Sequence, residues 1–412
     1  MKLTYTFRTA LFLCVAIFCL QCKKTEENKP KEIIDPVVTQ GVLPTVQTAQ
    51  ITNITTIGAV GGGTTLTNGS SAVTDRGLVL GLKTQPTIAD TKFGTTSVTG
   101  SGTFTSELRD LKPNTTYYLR AFATNKTGTG YGNEITFVTN SIGNATFNVT
   151  PLFIVGATVA TCDIEITNDG GDQVTERGLV YGLLENPTIT NNKLKHANAG
   201  LGKYRLMMKD LVEKSNYHVR AYAINAKGVS YSDDLTFKTI PKGKITYTFN
   251  KATNPNAEQL AAYARLQVAI DSAVWYLSNY TSAIKHVWLN YEVGTPTADA
   301  NNEGWMRFGS NSSYQNLRTM LHEMNHTLGT GTTDWWKGKI VGGKFQGQHT
   351  NDLLNKIQNS NGAQLSGDTQ HWWPFGLNQN SEVTSSWDYV YNCILIEAMR
   401  KDGLTHSGPY NP

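Results

Sequence analysis

The chain has 412 residues, enough for about two to four domains, with 39% hydrophobic and 17% charged residues and a formal net charge of +4. That charge is small and diffuse. No basic stripe interleaves with aromatics, so a nucleic-acid partner has no support.

The N-terminus reads as a targeting segment. Lys2 and Arg8 precede the apolar run Ala10–Leu20, which is too short to span a bilayer as a mature helix. A cysteine then ends the run before a polar stretch, "CLQCKKTEENKPKE". This pattern resembles a bacterial lipoprotein signal over residues 1–22. Cys22 is the expected lipidated residue, with Cys19 as the alternative, and residues 23–43 form a tether. The expected location is the outer membrane, with surface exposure; simple secretion is the alternative. Beyond the leader only Cys162 and Cys393 remain. They lie in different expected domains, so they predict buried thiols rather than a disulfide framework.

A repeat follows. "VTDRGLVLGLKTQPTI" (Val73–Ile88) matches "VTERGLVYGLLENPTI" (Val174–Ile189) at an offset of 101 positions. Asp110–Thr139 matches Asp210–Thr239 at an offset of 100. Runs such as "YYLRAFAT" and "YHVRAYAI" alternate in period two between turn clusters. Roughly seven short strands per repeat predict two all-β sandwiches, at 44–140 and 144–240. The recurring Leu-x-x-x-x-x-Tyr-x-x-Arg-Ala run resembles fibronectin type III modules of Bacteroidetes-type surface proteins. Arg76 and Arg177, and Arg120 and Arg220, recur as expected structural hydrogen-bonders. His196 and His218 have no counterparts in the first repeat and read as surface residues. No catalytic constellation stands in either repeat, so both read as spacers.

From Ile245 the texture changes, and 245–412 reads as an α+β domain. Asn256–Thr281 has the spacing of a long helix. Lys285–Val293 is a strand candidate, "GTPTADANNEG" a loop, and Trp305–Ser310 a short edge strand to which an extended peptide could add. Ser312 or Ser313 is placed to cap a helix over Tyr314–Leu328. Six of the eight histidines fall in this last segment, so the search for chemistry narrows to it.

On the last of these helices Leu317, Met320, Leu321, Met324 and Leu328 form the core stripe. His322 and His326 lie off it, one turn apart on one face, where both imidazoles can grip one metal. Glu323 beside them can serve as general base, and Gly329 can end the helix. His322, Glu323, His326 and Gly329 carry the H-E-x-x-H-x-x-G pattern, which resembles the metzincin-like branch of the zincin metallopeptidases. That resemblance implies Zn2+, a water-activating Glu323, and an extracellular protein or glycoprotein substrate. The branch has its third ligand where this chain has Thr332, a poor zinc ligand. The candidates for that role are His371, Asp334, His349 and Glu382. His371 leads, because "HWWPFGLN" sets it beside aromatics that would hold it rigidly. Asp334 could instead support a ligand from behind. Tyr389 or Tyr391 could supply an oxyanion donor, and Met399 reads as a core residue of a final helix. The blocks "GWMRFG", "HEMNHTLGTGT" and "HWWPFGLNQNSE" also resemble a set of secreted bacterial proteins over about 245–405. Two readings stand: a surface-anchored zinc endopeptidase, and a non-catalytic adhesion or glycan-binding lipoprotein. A monomer is expected in either case.

Overall fold

The computed structural model describes residues 40–94 and 100–410. Cys22, Cys19, the leader and most of the tether lie outside the described residues.

Each repeat folds into two antiparallel sheets with one shared topology. In the first, Thr45–Thr48, Ala59–Thr67 and Gly102–Leu108 pair in that order. The second sheet runs Thr91–Gly94, Asp75–Gly81, Thr116–Asn125, Gly128–Tyr131, with Ile135–Val138 also on the long central strand. The second repeat reproduces this arrangement between Thr146 and Lys238. No strand pairing joins Ile135–Val138 to Thr146–Val155, so the sandwiches are separate. Period-two alternation buries Leu78, Leu119, Ala121 and Phe137 in one core, and Leu179, Val219, Ala221 and Phe237 in the other. Tyr117 and Tyr217 each accept a backbone N–H from five residues upstream, at 3.0 Å. Such tyrosine corners are a hallmark of sandwich folds.

The recurring arginines are structural. Arg76 donates to the Gly100 and Gly102 carbonyls, and Arg177 to those of Asn198, Gly200 and Leu201. Arg120 and Arg220 each lie 4.6 Å from the ring of Tyr131 or Tyr231. His218 is not the surface residue its lack of a counterpart suggested. It is half buried, with Nδ1 2.8 Å from Asp234. Cys162 and Cys393 are free and buried.

The remaining chain builds a four-stranded sheet in the order Lys244–Asn250, Ile284–Tyr291, Trp305–Phe308, Ala298–Ala300. The first three strands are parallel and the last antiparallel. Trp305–Phe308 is therefore interior. The edge is Ala298–Ala300, inside the stretch read as a loop, because three residues are too few to show a period. Helix α1 (Ala257–Tyr280) crosses between the first two strands, its start fixed by a capping box of Asn256 and Gln259. Leu260 in its first turn is exposed. Helix α2 (Leu317–Leu328) packs against α1 and the edge strand. Its cap is Asn316, not Ser312 or Ser313, which form a separate turn of 3-10 helix. Helices α3 (Asp334–Lys339), α4 (Gln348–Gln358) and α5 (Trp387–Lys401) complete the domain. Met399 is fully buried in α5.

The second sandwich is more than a spacer. Ile154 and Val159 belong to the same apolar core as Ile245, Leu266 and Tyr280. Ala157 donates its N–H to the Asn279 carbonyl at 2.6 Å. Arg205, paired with Asp163, also donates to the Tyr391 hydroxyl at 3.2 Å and lies 4.8 Å from the Trp387 ring. The first sandwich has Thr105 and Gly62 at the matching strand positions. Only the second repeat carries the side chains that dock.

Candidate metal centre

Helix α2 presents the site. Met320, Leu321, Met324 and Leu328 are fully buried, and His322 and His326 lie on the opposite face of the helix. Gly329 ends the helix at φ 111°, a left-handed conformation that glycine accepts without a Cβ penalty. The imidazole centroids of His322 and His326 are 4.7 Å apart. His371 comes in from a separate four-stranded ribbon (Ile340–Val341, Lys344–Phe345, Ser366–Gly367, Trp372–Trp373). Its ring lies 5.5 Å from that of His322 and 5.9 Å from that of His326. One ring nitrogen from each of the three lies within 4.8 Å of the others, close enough to share one cation.

The tautomers follow from the partners. Nδ1 of His322 is 2.9 Å from the Gly376 carbonyl, and Nδ1 of His326 is 2.8 Å from the Thr330 carbonyl. A carbonyl only accepts, so each Nδ1 carries the proton and each Nε2 keeps a free lone pair. Burial pushes the His322 pKa down to about 3, helped by the neighbouring His326. Burial likewise lowers that of His326. Both rings are therefore held neutral, the form that binds metal. Burial, and then the charge of Asp299, pushes the Glu323 carboxyl up to about 8. Its Oε2 is buried with no hydrogen-bond partner. A buried acid left open beside the three imidazoles fits a cation at their centre, which would favour its ionised form. The donor set of three nitrogens suits zinc.

Four carbonyls of the loop Trp372–Asn378 are held by side chains. Asn378 donates to Trp372, Asn392 to Phe375 at 2.8 Å, His322 to Gly376, and Arg318 to Leu377 at 2.7 Å. Phe375 and Leu377 sit at φ 69° and 61°, a conformation side chains resist and these bonds hold. Asn392 is itself fixed by Asn325 of α2. Asn392→Leu, close in size, should weaken metal affinity by about 10–100-fold, as loss of support behind a ligand does. Competition against a chelating dye measures this, and an unchanged affinity would show that the loop holds its shape without Asn392.

The other candidate ligands have different work. Asp334 opens α3, fully exposed, and pairs with Lys337 at 3.5 Å. His349 is exposed on α4, where its N–H bonds Asp402. The Glu382 carboxylate accepts the N–H groups of Leu377, Asn378 and Gln379, so it shapes the loop instead of binding metal. Tyr391 is engaged by Arg205, and Tyr389 packs edge-on against Tyr276.

His371 is also held differently from the expected aromatic cage. Its side chain is 37% exposed, and the Trp373 ring is 6.4 Å away. Asp368 holds it, accepting the N–H groups of Gln370 and His371 at 2.7 and 2.6 Å. Buried Trp336 in turn donates to the Asp368 carbonyl at 3.0 Å. The "TTDWW" segment thus serves the site through Trp336. Sequence reading missed Arg318, Asp368 and Asn392. The signal present for Asp368 was its place three residues before the histidine.

Fold and site together define a chain of two β-sandwiches followed by an α+β domain with a three-histidine centre and an adjacent buried glutamate. No family model matches the chain, and no curated protein matches it. Among solved structures it is similar to the chicken CNTN1 FN1–FN3 domains, with 13% identity over 48% of this chain and 69% of that one, at a TM-score of 0.21. It is also similar to the sensor domain of the anti-sigma factor RsgI4 of Pseudobacteroides cellulosolvens, with 18% identity over 24% of this chain and 78% of that one, at a TM-score of 0.19. The sandwich architecture stands on the strand pairing of the chain itself.

Proposed function

We propose that the C-terminal domain is a zincin-like, zinc-dependent endopeptidase, carried by two fibronectin III-like modules on an exported lipoprotein and acting on extracellular proteins or glycoproteins. The observation that carries this reading is the convergence of three imidazoles, with their ring nitrogens within 4.8 Å, beside the unpartnered Glu323 Oε2. His322, His326 and His371 would hold the ion. Zinc would supply Lewis acidity toward water and the scissile carbonyl. Glu323 accepts a proton from the attacking water and returns it to the leaving amine. The edge strand Ala298–Ala300 bordering α2 offers unpaired main-chain groups on which an extended substrate can lie antiparallel or parallel. An adhesion protein has no use for a buried, unpaired acid next to a cation site, and this weighs against the non-catalytic reading.

The test uses the full chain: metal analysis of the purified protein, and mass spectrometry of a mixed peptide library after incubation. One equivalent of zinc with chelator-sensitive cleavage is expected; zinc without cleavage of any peptide would leave the binding reading in its place. The anchor is tested separately. Labelled fatty acid should enter the protein in cells and be lost in Cys22→Ala, whereas equal labelling of that variant would move the anchor to another residue.

A further inference from the structure

The sheet of the C-terminal domain has a second face, turned away from the helices. Ile245, Val287, Leu289, Met306 and Phe308 point into the core. By period-two alternation their neighbours stand on the opposite side. Trp288 and Trp305 are cross-strand partners there, stacked with centroids 5.1 Å apart and planes 17° from parallel. His286 meets Trp288 edge-on, so Trp288 is enclosed between the two. Trp305 closes the row with one ring face covered, and it remains 44% exposed.

A cavity of about 400 Å³ opens beside Trp305, lined also by Asn290, Glu292, Asp299 and Arg307. Arg307 makes a two-pronged bond to Asp299 at 2.8 and 2.6 Å, with Glu292 3.6 Å away. The guanidinium and both carboxylates are each about half exposed. They form a fixed array of donors and acceptors along one side of an open aromatic ring.

We propose that this cavity is a carbohydrate-binding site that takes a neutral pyranose. A pyranose ring has an apolar face of C–H bonds, which packs on an exposed indole, and a rim of hydroxyls, each both donor and acceptor. Carboxylates accept from such hydroxyls and a guanidinium donates to them. A concave site with an aromatic wall and a few placed polar groups suits a small polar ligand. Two carboxylates against one arginine disfavour sulfated or otherwise strongly anionic sugars. The cavity volume accommodates one or two sugar rings. The site lies on the reverse of the same strands that lead to the metal centre, and its occupancy does not depend on hydrolysis.

The experiment is affinity electrophoresis of the full chain in gels cast with gastric mucin, with neutral polysaccharides (xylan and galactomannan), or with heparin. Saturation-transfer NMR with the methyl glycosides of glucose, galactose, mannose, fucose and the two common N-acetylhexosamines accompanies it. Retardation by at least one of the non-heparin polymers is expected, with a glycoside signal. Trp305→Ala should weaken the affinity by about tenfold or more, the equivalent of about 1.4 kcal/mol. Arg307→Gln, on an exposed side chain, reads the same cavity should the tryptophan variant fold poorly. The proposal is overturned if no polymer or glycoside binds, if heparin alone binds, or if both variants bind as the parent does.

Discussion

Glu323→Gln should keep one zinc per chain and lose peptide hydrolysis by about 10²–10⁴-fold, the range that a positioned general base contributes. Glutamine has nearly the shape of glutamate, so the 4% exposed position stays filled. Its amide cannot take a proton. The three imidazoles, and the carbonyls of Gly376 and Thr330 that orient His322 and His326, do not involve the carboxylate. Metal content and activity should therefore separate in this variant. Retention of more than about a tenth of parental hydrolysis would assign the base elsewhere. Loss of zinc together with activity would mean that the carboxylate is part of the ion's own coordination.

His371→Ala should lose zinc as completely as His322→Ala. Two helix histidines alone make a weak site, since zinc centres use three or four protein ligands. No other carboxylate, thiol or imidazole among the described residues joins the cluster. Because the His371 side chain is 37% exposed, its truncation leaves little of the core undone, and the fold should survive. Metal analysis beside a thermal melt distinguishes the two effects. Stoichiometric zinc in a well-folded His371→Ala protein would remove this residue from the centre.

The sequence exposed the parts of this site that obey a local period. His322 and His326 are readable because a helix turn brings positions four apart together, and the apolar stripe of Met320, Leu321 and Met324 tells which face is free. His371 was readable only through the rigidity of its neighbours, and even there the reason differs: Asp368 and Trp336 hold it, while Trp372 is core. Glu382 looked like a donor for metal because a carboxylate carries no mark of its partners. Its three N–H bonds exist only once the loop has closed. The edge of the sheet was misplaced for a related reason. Strand order is a matter of long-range pairing, and Ala298–Ala300 is too short to show alternation. The repeat offset revealed the two sandwiches, yet gave no sign that Arg205 and Asp163 convert the second from a bead on a string into part of the neighbouring domain.

That docking changes what counts as a separable piece. The repeat ends near Thr239 in sequence, and a protein engineer would cut there. Such a cut strips the cover from the Tyr280 end of α1 and removes Ile154 and Val159 from a core they share with it. It also leaves Trp387 and Tyr391 without Arg205. The shortest fragment expected to keep the fold around the three histidines therefore begins ahead of Ala145. The second sandwich and the domain that carries the three histidines are therefore one packed unit, to be expressed and cut as one.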